Sequence, residues 1–266
     1  MKNKTFGVVG CGWLGLSIAE KWVNDGYVVH GTTTTPEKLK LLNSKGIESH
    51  FLTNQVKPED FTWLKKLDFL LLCVPPSTLK EEYANFLVDV ARRIPAEAKI
   101  IMISSTSVYA NKNQIAIETD ELDGTSRSAP HVIAAEKALK DLFQKRLTII
   151  RMSGLVGKQR HPAKYMSGKE VSGGNEPVNL IHLQDCIGVI EHVIKNNSWN
   201  TSINASTPHH PSKKEYYTSI TEALNIPAPQ FNGKPQKGKT ISNDLLINTY
   251  KYTFIHTNLY NLPFSK

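Results

Sequence analysis

Apolar positions gather first at Phe6–Val9 and then recur at Leu14, Ile18 and Trp22, with Gly10, Gly12 and Gly15 between the two groups. A short continuous apolar run predicts a buried strand, and a spacing of four predicts a helix. The same alternation continues along the chain. Tyr27–His30, Ile47–Leu52, Leu67–Val74 and Lys99–Ile103 read as strands two to five. The Leu67–Val74 run is continuous enough to be buried on both faces. Helices are predicted from Glu37, over Leu79–Ile94 with Phe86, Leu87, Val90 and Ile94 inward, and over Pro130–Lys145 with Ile133, Ala134, Ala138 and Leu142 on one face. Leu147–Arg151, Val178–His182 and Ser202–Ala205 read as further strands, Ser212–Leu224 as a helix, and Asn111–Arg127 as loop. Asp185 stands where it would cap a helix running to Ile194. Strands alternating with helices predict an α/β fold with a doubly wound parallel sheet.

The glycines turn this pattern toward chemistry. G-x-G-x-x-G directly after a strand and opening a helix suits a dinucleotide pyrophosphate. Gly10 allows the tight turn, Gly12 lets the backbone approach the phosphates, and Gly15 allows close helix packing; Trp13 and Leu14 then open the helix whose N-terminus faces the anion. The end of the second strand selects the cofactor. An NAD site usually carries an acid there, whereas this chain has Thr32, Thr33 and Thr34 with Lys38 nearby. Hydroxyls and a lysine lean toward the 2′-phosphate of NADP, with NAD as the alternative. The threonines can also cap the following helix. Cys73, Val74 and Pro75 end the fourth strand and are expected along the cofactor. Ser104–Ser105–Thr106–Ser107 follows the fifth, at the carboxyl end of a central strand, where α/β enzymes do chemistry. A self-satisfied hydroxyl turn explains that cluster equally well.

Composition narrows the class. The 266 residues carry a net charge of +8, are 40% apolar, and contain three cysteines, Cys11, Cys73 and Cys186, without metal-type spacing. Reduced thiols and no metal site are expected. No apolar run is long enough to span a bilayer, and a strand beginning near Met1 leaves no room for a signal peptide; the expected compartment is the cytoplasm, with no membrane partner. The basic residues are scattered rather than gathered in one motif. Attraction to an anionic cofactor and substrate therefore accounts for the charge better than nucleic acid does.

GCGWLGLSIA at 10–19, SSTSVYA at 104–110 and NLIHLQD at 179–185 together resemble the extended short-chain dehydrogenase/reductase superfamily, which includes nucleotide-sugar epimerases and dehydratases. RMSGLVGKQRHP at 151–162 and INASTPHHPSKKEYY at 203–217 are similar to a bacterial branch of NAD(P)-binding epimerase-like proteins. The resemblance implies a Rossmann domain over 1–152 and a smaller substrate lobe over 153–266, with about 201–206 returning to the main sheet. It also allows a homodimer. It implies that Ser104 lies by the cofactor and that Ser105, with Thr106 beside it, is the catalytic hydroxyl. The family pairs this hydroxyl with Tyr-x-x-x-Lys on the next helix. Counting back from Glu136, those two positions fall on Ser128 and Val132, neither of which can transfer the proton. The literal Tyr165–Lys169 match lies outside the family position and encloses Gly168. His131 and Tyr109 are the candidate replacements, since a histidine suits acid–base work at neutral pH. His182 is read as bracing its strand. Arg160 and His161 match the substrate loop and suit an anionic small molecule or a nucleotide sugar. Two functions remain: an oxidoreductase or nucleotide-sugar-modifying enzyme with altered acid–base residues, or a non-catalytic dinucleotide-binding sensor.

Overall fold

In the computed structural model, which describes residues 4–53 and 58–264, the first apolar run becomes β1 (Thr5–Val9), buried from Phe6 onward. It feeds α1 (Trp13–Asn24), whose Leu14, Ile18 and Trp22 are all buried. Next come β2 (Val28–Thr33), α2 (Glu37–Ser44), β3 (Glu48–Phe51), β4 (Phe69–Leu72), α3 (Tyr83–Ala91) and β5 (Lys99–Ser105). The short β6 (Gln114–Ala116) precedes α4 (Ala129–Phe143) and β7 (Leu147–Met152). The chain continues through β8 (Gly154–Val156), α5 (Ala163–Met166), β9 (Glu170–Val171), β10 (Leu180–His182), α6 (Leu183–Lys195) and β11 (Thr201–Ala205). It ends with α7 (Lys213–Glu222), β12 (Gln230–Phe231), β13 (Lys239–Ile241) and single helical turns.

Seven strands form one parallel sheet in the order β11-β7-β5-β4-β1-β2-β3. The order reverses between β1 and β4, where Val9 lies opposite Leu72. In open α/β sheets, the crevice at the carboxyl end of such a switch point is where ligands bind.

The chain divides into two units interleaved in sequence. The first comprises residues 1–105, 126–150 and 193–202. Its core combines the sheet with α1, with α3 through Leu87, Val90 and Ala91, and with α4 through Val132, Ala135, Leu139 and Phe143. The second comprises 106–125, 151–192 and 203–266, around Val156, Ala163, Val178, Leu180, Tyr216, Ile220, Leu259 and Leu262.

Five local expectations change. β2 runs on through Gly31 to Thr33 instead of turning at Gly31. A Cβ at Gly31 would lie 2.7 Å from both Cys11 Sγ and Ile47 Cγ2, so this glycine serves close packing inside a strand. The helix expected over Leu79–Ile94 begins as two 3-10 turns and becomes α-helical only at Tyr83. Pro75–Pro76 and a left-handed Lys80 (φ 48°) break its first turns. α4 buries Val132, Ala135, Glu136, Leu139 and Phe143, whereas Ala134 and Leu142 of the expected face are exposed. The 111–127 stretch contains β6, paired in parallel with β13. Asp185 is not a cap: its buried carboxylate accepts hydrogen bonds from Tyr252 Oη (3.0 Å) and from the backbone N–H groups of Ile255 (2.7 Å) and His256 (3.0 Å). Ser212 caps α7, accepting from the Glu215 N–H and donating to its carboxylate.

Candidate nucleotide site and adjoining cavity

The glycine turn builds the site from the backbone outward. Gly10 holds φ 100°, and a Cβ there would press to 2.8 Å on the Cys73 carbonyl oxygen. A Cβ on Gly15 would approach the Gly10 carbonyl oxygen to 2.2 Å, so only glycine lets α1 start this close to β1. Gly12 differs from both, because a Cβ there would meet nothing within 4 Å. Space is thus left at the exposed N-terminus of α1, where the helix dipole favours an anion. No acid occupies the first turn of that helix. The turn is latched to β2: the Gly10 N–H donates to Thr32 Oγ1 (2.9 Å) and the Cys11 N–H to the Thr32 carbonyl (2.8 Å).

A cleft of about 210 Å³ opens at the switch point. Gly10, Gly12, Thr32, Thr33, Thr34, Lys38, Cys73, Val74 and Pro75, nine residues expected from the sequence, line it together. Leu52, Leu79 and Phe86 add apolar surface to it, and Thr78 lines it beside them. The sequence offered no signal for these four, since their place depends on how β3 ends and on the broken start of α3. Among the described residues, no Asp or Glu lines the cleft. The threonines divide their work. Thr32 holds the glycine turn, Thr33 Oγ1 accepts from the Thr35 N–H (3.1 Å), and Thr34 and Lys38 are exposed. Burial pushes the Cys11 and Cys73 thiols up to about 12, which keeps both protonated.

Three other expected cofactor contacts sit differently. Leu14 is core, Trp13 is half-buried, and Ser104 is buried with its hydroxyl donating to Glu136 Oε1 at 2.5 Å. That bond explains why α4 carries a carboxylate inward: a buried charge is tolerated when hydrogen-bonded, and Lys140 Nζ stands 3.9 Å from its other oxygen.

Ser105 ends β5, half-buried. His131, also half-buried, lies three residues after Ser128 on α4, and the two line a second cavity of about 320 Å³ with Pro76, Ser77, Lys80 and Arg127. Val132 is buried in the core.

Within the second unit, Thr106 and Tyr109 are buried. Tyr109 Oη donates to Asn204 Oδ1 (2.8 Å) and accepts from the Arg151 guanidinium (2.6 Å), which also donates to the Glu118 carbonyl (3.0 Å). Burial raises the Tyr109 hydroxyl above its ordinary range, and Arg151 pulls the other way. This phenol is a member of a buried network with both hydrogen-bonding roles taken. His161 Nδ1 accepts from the Ala163 N–H (3.2 Å), and its ring packs on Phe264 with centroids 3.9 Å apart. Arg160 exchanges backbone hydrogen bonds with Gly157. His182 packs edge-on against His256. Tyr165 is exposed on the four-residue α5, which ends before Gly168 and Lys169, so that literal pair shares no helix. Among the described residues, no group of three metal-ligating side chains is present, and no helix is long and apolar enough to cross a membrane.

Comparison with known proteins agrees with this geometry. Residues 5–153 match the NAD binding domain of 6-phosphogluconate dehydrogenase. The protein YeeZ of Escherichia coli K12 is 30% identical over 276 residues, spanning 98% of this chain and 99% of YeeZ. Among solved structures, the UDP-glucuronic acid 4-epimerase of Bacillus cereus in complex with NAD aligns with a TM-score of 0.74 and 17% identity over 95% of this chain and 94% of that one. The dTDP-glucose 4,6-dehydratase of Bacillus anthracis in complex with NAD aligns at 0.75 and 14% over 96% and 92%. These two likenesses establish the shared fold. With its switch-point cleft, its glycine turn and its full-length similarity to YeeZ, the chain belongs to the NAD-binding-domain family described for 6-phosphogluconate dehydrogenase, as a relative of YeeZ.

Proposed function

We propose that the protein is an NAD(P)-dependent oxidoreductase or nucleotide-sugar-modifying enzyme of the epimerase/dehydratase kind. On this reading it prefers NADP and acts on an anionic small molecule with an altered acid–base set. One observation carries the reading: the cleft at the sheet's switch point is lined by the glycine turn, by Thr32–Thr35 with Lys38, and by Cys73–Pro75, and among the described residues by no acid. The preference for NADP rests on Thr34 and Lys38. Thr34 directly follows β2 and Lys38 stands in the first turn of α2; both are exposed, beside the place where a ribose 2′-phosphate would lie and a carboxylate would repel it.

A bound nicotinamide supplies hydride chemistry, and the protein supplies orientation and a proton. Ser105, at the carboxyl end of β5, polarises the substrate oxygen. His131 exchanges the proton in place of the family tyrosine, whose position falls on Ser128. Tyr109 is not assigned this step, because its hydroxyl is committed to Arg151 and Asn204. Epimerase and dehydratase neighbours that act on nucleotide sugars support that substrate class. The protein is proposed to work in the cytoplasm.

Fluorescence titration with NADPH and NADH tests binding. Saturable binding of both is expected, tighter for NADPH, and no saturable signal with either overturns the reading. Screening nucleotide sugars and carbonyl compounds with NADPH then tests turnover. Ser105→Ala and His131→Ala should each cost about 10²-fold or more in kcat, as expected for loss of a positioned acid–base group. Activity that survives both changes refutes the catalytic assignment.

A further inference from the structure

The cavity beside the nucleotide cleft has a composition of its own. Two permanent cations, Lys80 and Arg127, line it with His131, Ser77 and Ser128, and among the described residues no carboxylate does. Ser128 occupies the N-cap position of α4, where its side chain makes no capping hydrogen bond, and it lines the cavity. The residues come from two separate segments of one unit, the loop after β4 and the start of α4. Pro76, Ser77 and Lys80 face this cavity, while Val74, Pro75, Thr78 and Leu79 of the same loop face the cleft. The two spaces therefore share one wall.

We infer that this cavity is a phosphate-recognition pocket for a phosphorylated small-molecule substrate held next to the cofactor. A guanidinium and an ammonium offer charge-assisted hydrogen bonds to a phosphoryl group, and two hydroxyls and an imidazole can supply further donors. About 320 Å³ holds a phosphate together with a small polar body. The assignment moves the anion site from Arg160 and His161, whose ring is packed on Phe264, to Lys80 and Arg127. It rests on the proposed function and names that enzyme's substrate class.

The test is calorimetric titration of the full chain, with saturating NADPH and again without it, using inorganic phosphate, glucose 1-phosphate and, as a neutral control, glucose. The wild type is compared with Lys80→Ala/Arg127→Ala and with the charge-retaining Lys80→Arg, all checked for folding by thermal unfolding. Phosphate and glucose 1-phosphate should bind and glucose should not. The double variant should lose at least about tenfold in affinity for both phosphates, from loss of charge-assisted bonds. Its NADPH affinity should stay within twofold of wild type, and Lys80→Arg should keep most of the phosphate binding. The inference is overturned if phosphate does not bind the wild type, if the double variant binds it equally well, or if glucose binds as tightly as its phosphate. It is also overturned if NADPH affinity falls in parallel, because the pocket would then belong to the cofactor. Phosphate binding that depends on Lys80 and Arg127 in a protein that binds neither nucleotide would uphold the pocket and refute only the cofactor reading beneath it.

Discussion

Gly12 and Gly15 stand three residues apart and do opposite jobs. A methyl group on Gly15 has nowhere to go, because the Gly10 carbonyl oxygen fills its place. Gly15→Ala should therefore destabilise the fold by about 1–3 kcal/mol through overpacking, seen as a lower urea midpoint even without nucleotide. Gly12→Ala should unfold within about 0.5 kcal/mol of wild type, as expected for a change into open space. Gly12→Asp should leave stability nearly intact and abolish nicotinamide nucleotide binding, since the carboxylate would occupy the phosphates' place with like charge. Equal nucleotide affinity in Gly12→Asp and wild type would overturn the assignment of the turn. The same separation applies to Thr32 and Lys38. Thr32→Val removes the acceptor for the Gly10 N–H and should weaken NADH and NADPH alike, whereas Lys38→Ala should weaken NADPH selectively, by about tenfold for a lost phosphate contact. Paired titrations of the two nucleotides read both effects.

At the scale of the element, the edge of the sheet carries a titrating cluster that no motif announces. His30 on β2 and His50 on β3 lie 3.0 Å apart through their ring nitrogens, with His50 stacked on Trp63 at 4.5 Å between centroids. Glu48 approaches His30 at 3.3 Å and favours its protonation, while Lys66 opposes it. Burial dominates and holds both imidazoles below their ordinary range, His50 at about 4, with its histidine neighbour adding to the effect. The unfolded chain takes up these protons near pH 6.5 and the folded chain only lower down. Their contribution to stability is thus complete above about pH 6.5 and is lost as the pH falls toward 4. Urea midpoints should drop across that window, and less steeply in His50→Gln; identical slopes would refute the cluster's role. In the second unit, Asp185→Ala strips the Ile255 and His256 N–H groups of their acceptor. It should cost about 2–4 kcal/mol, the range for charge-assisted bonds lost with buried donors left unpaired, and should expose the chain after Tyr250 to limited proteolysis. Most elements were legible because strand and helix periods are local. The inward face of α4 was not, because the hydrogen bond to Ser104 lets Glu136 point into the core, and hydropathy assigns a glutamate outward. Asp185 was misread for a related reason: its partners lie about seventy residues later, beyond the reach of any capping pattern.

Across the whole molecule, three of the cations behind the net charge of +8, Lys38, Lys80 and Arg127, line the two cavities proposed to take anions. Association with an anionic nucleotide should be electrostatically assisted, so stopped-flow on-rates for NADPH should fall with added salt while off-rates change little. The switch-point cleft was readable from sequence because a glycine turn tolerates few alternatives, and nine expected residues converge on it. The second cavity was not readable, since it depends on Lys80 and Arg127 being brought together from forty-seven positions apart. The partition between the two spaces is founded on Pro75 and Pro76, whose rings hold the backbone rigid. If the fixed φ angles of the two prolines hold this divider in place, filling one chamber leaves the shape of the other unchanged. Initial-rate patterns should accordingly be those of random loading, with either reactant arriving first and neither required to prepare the way for its companion.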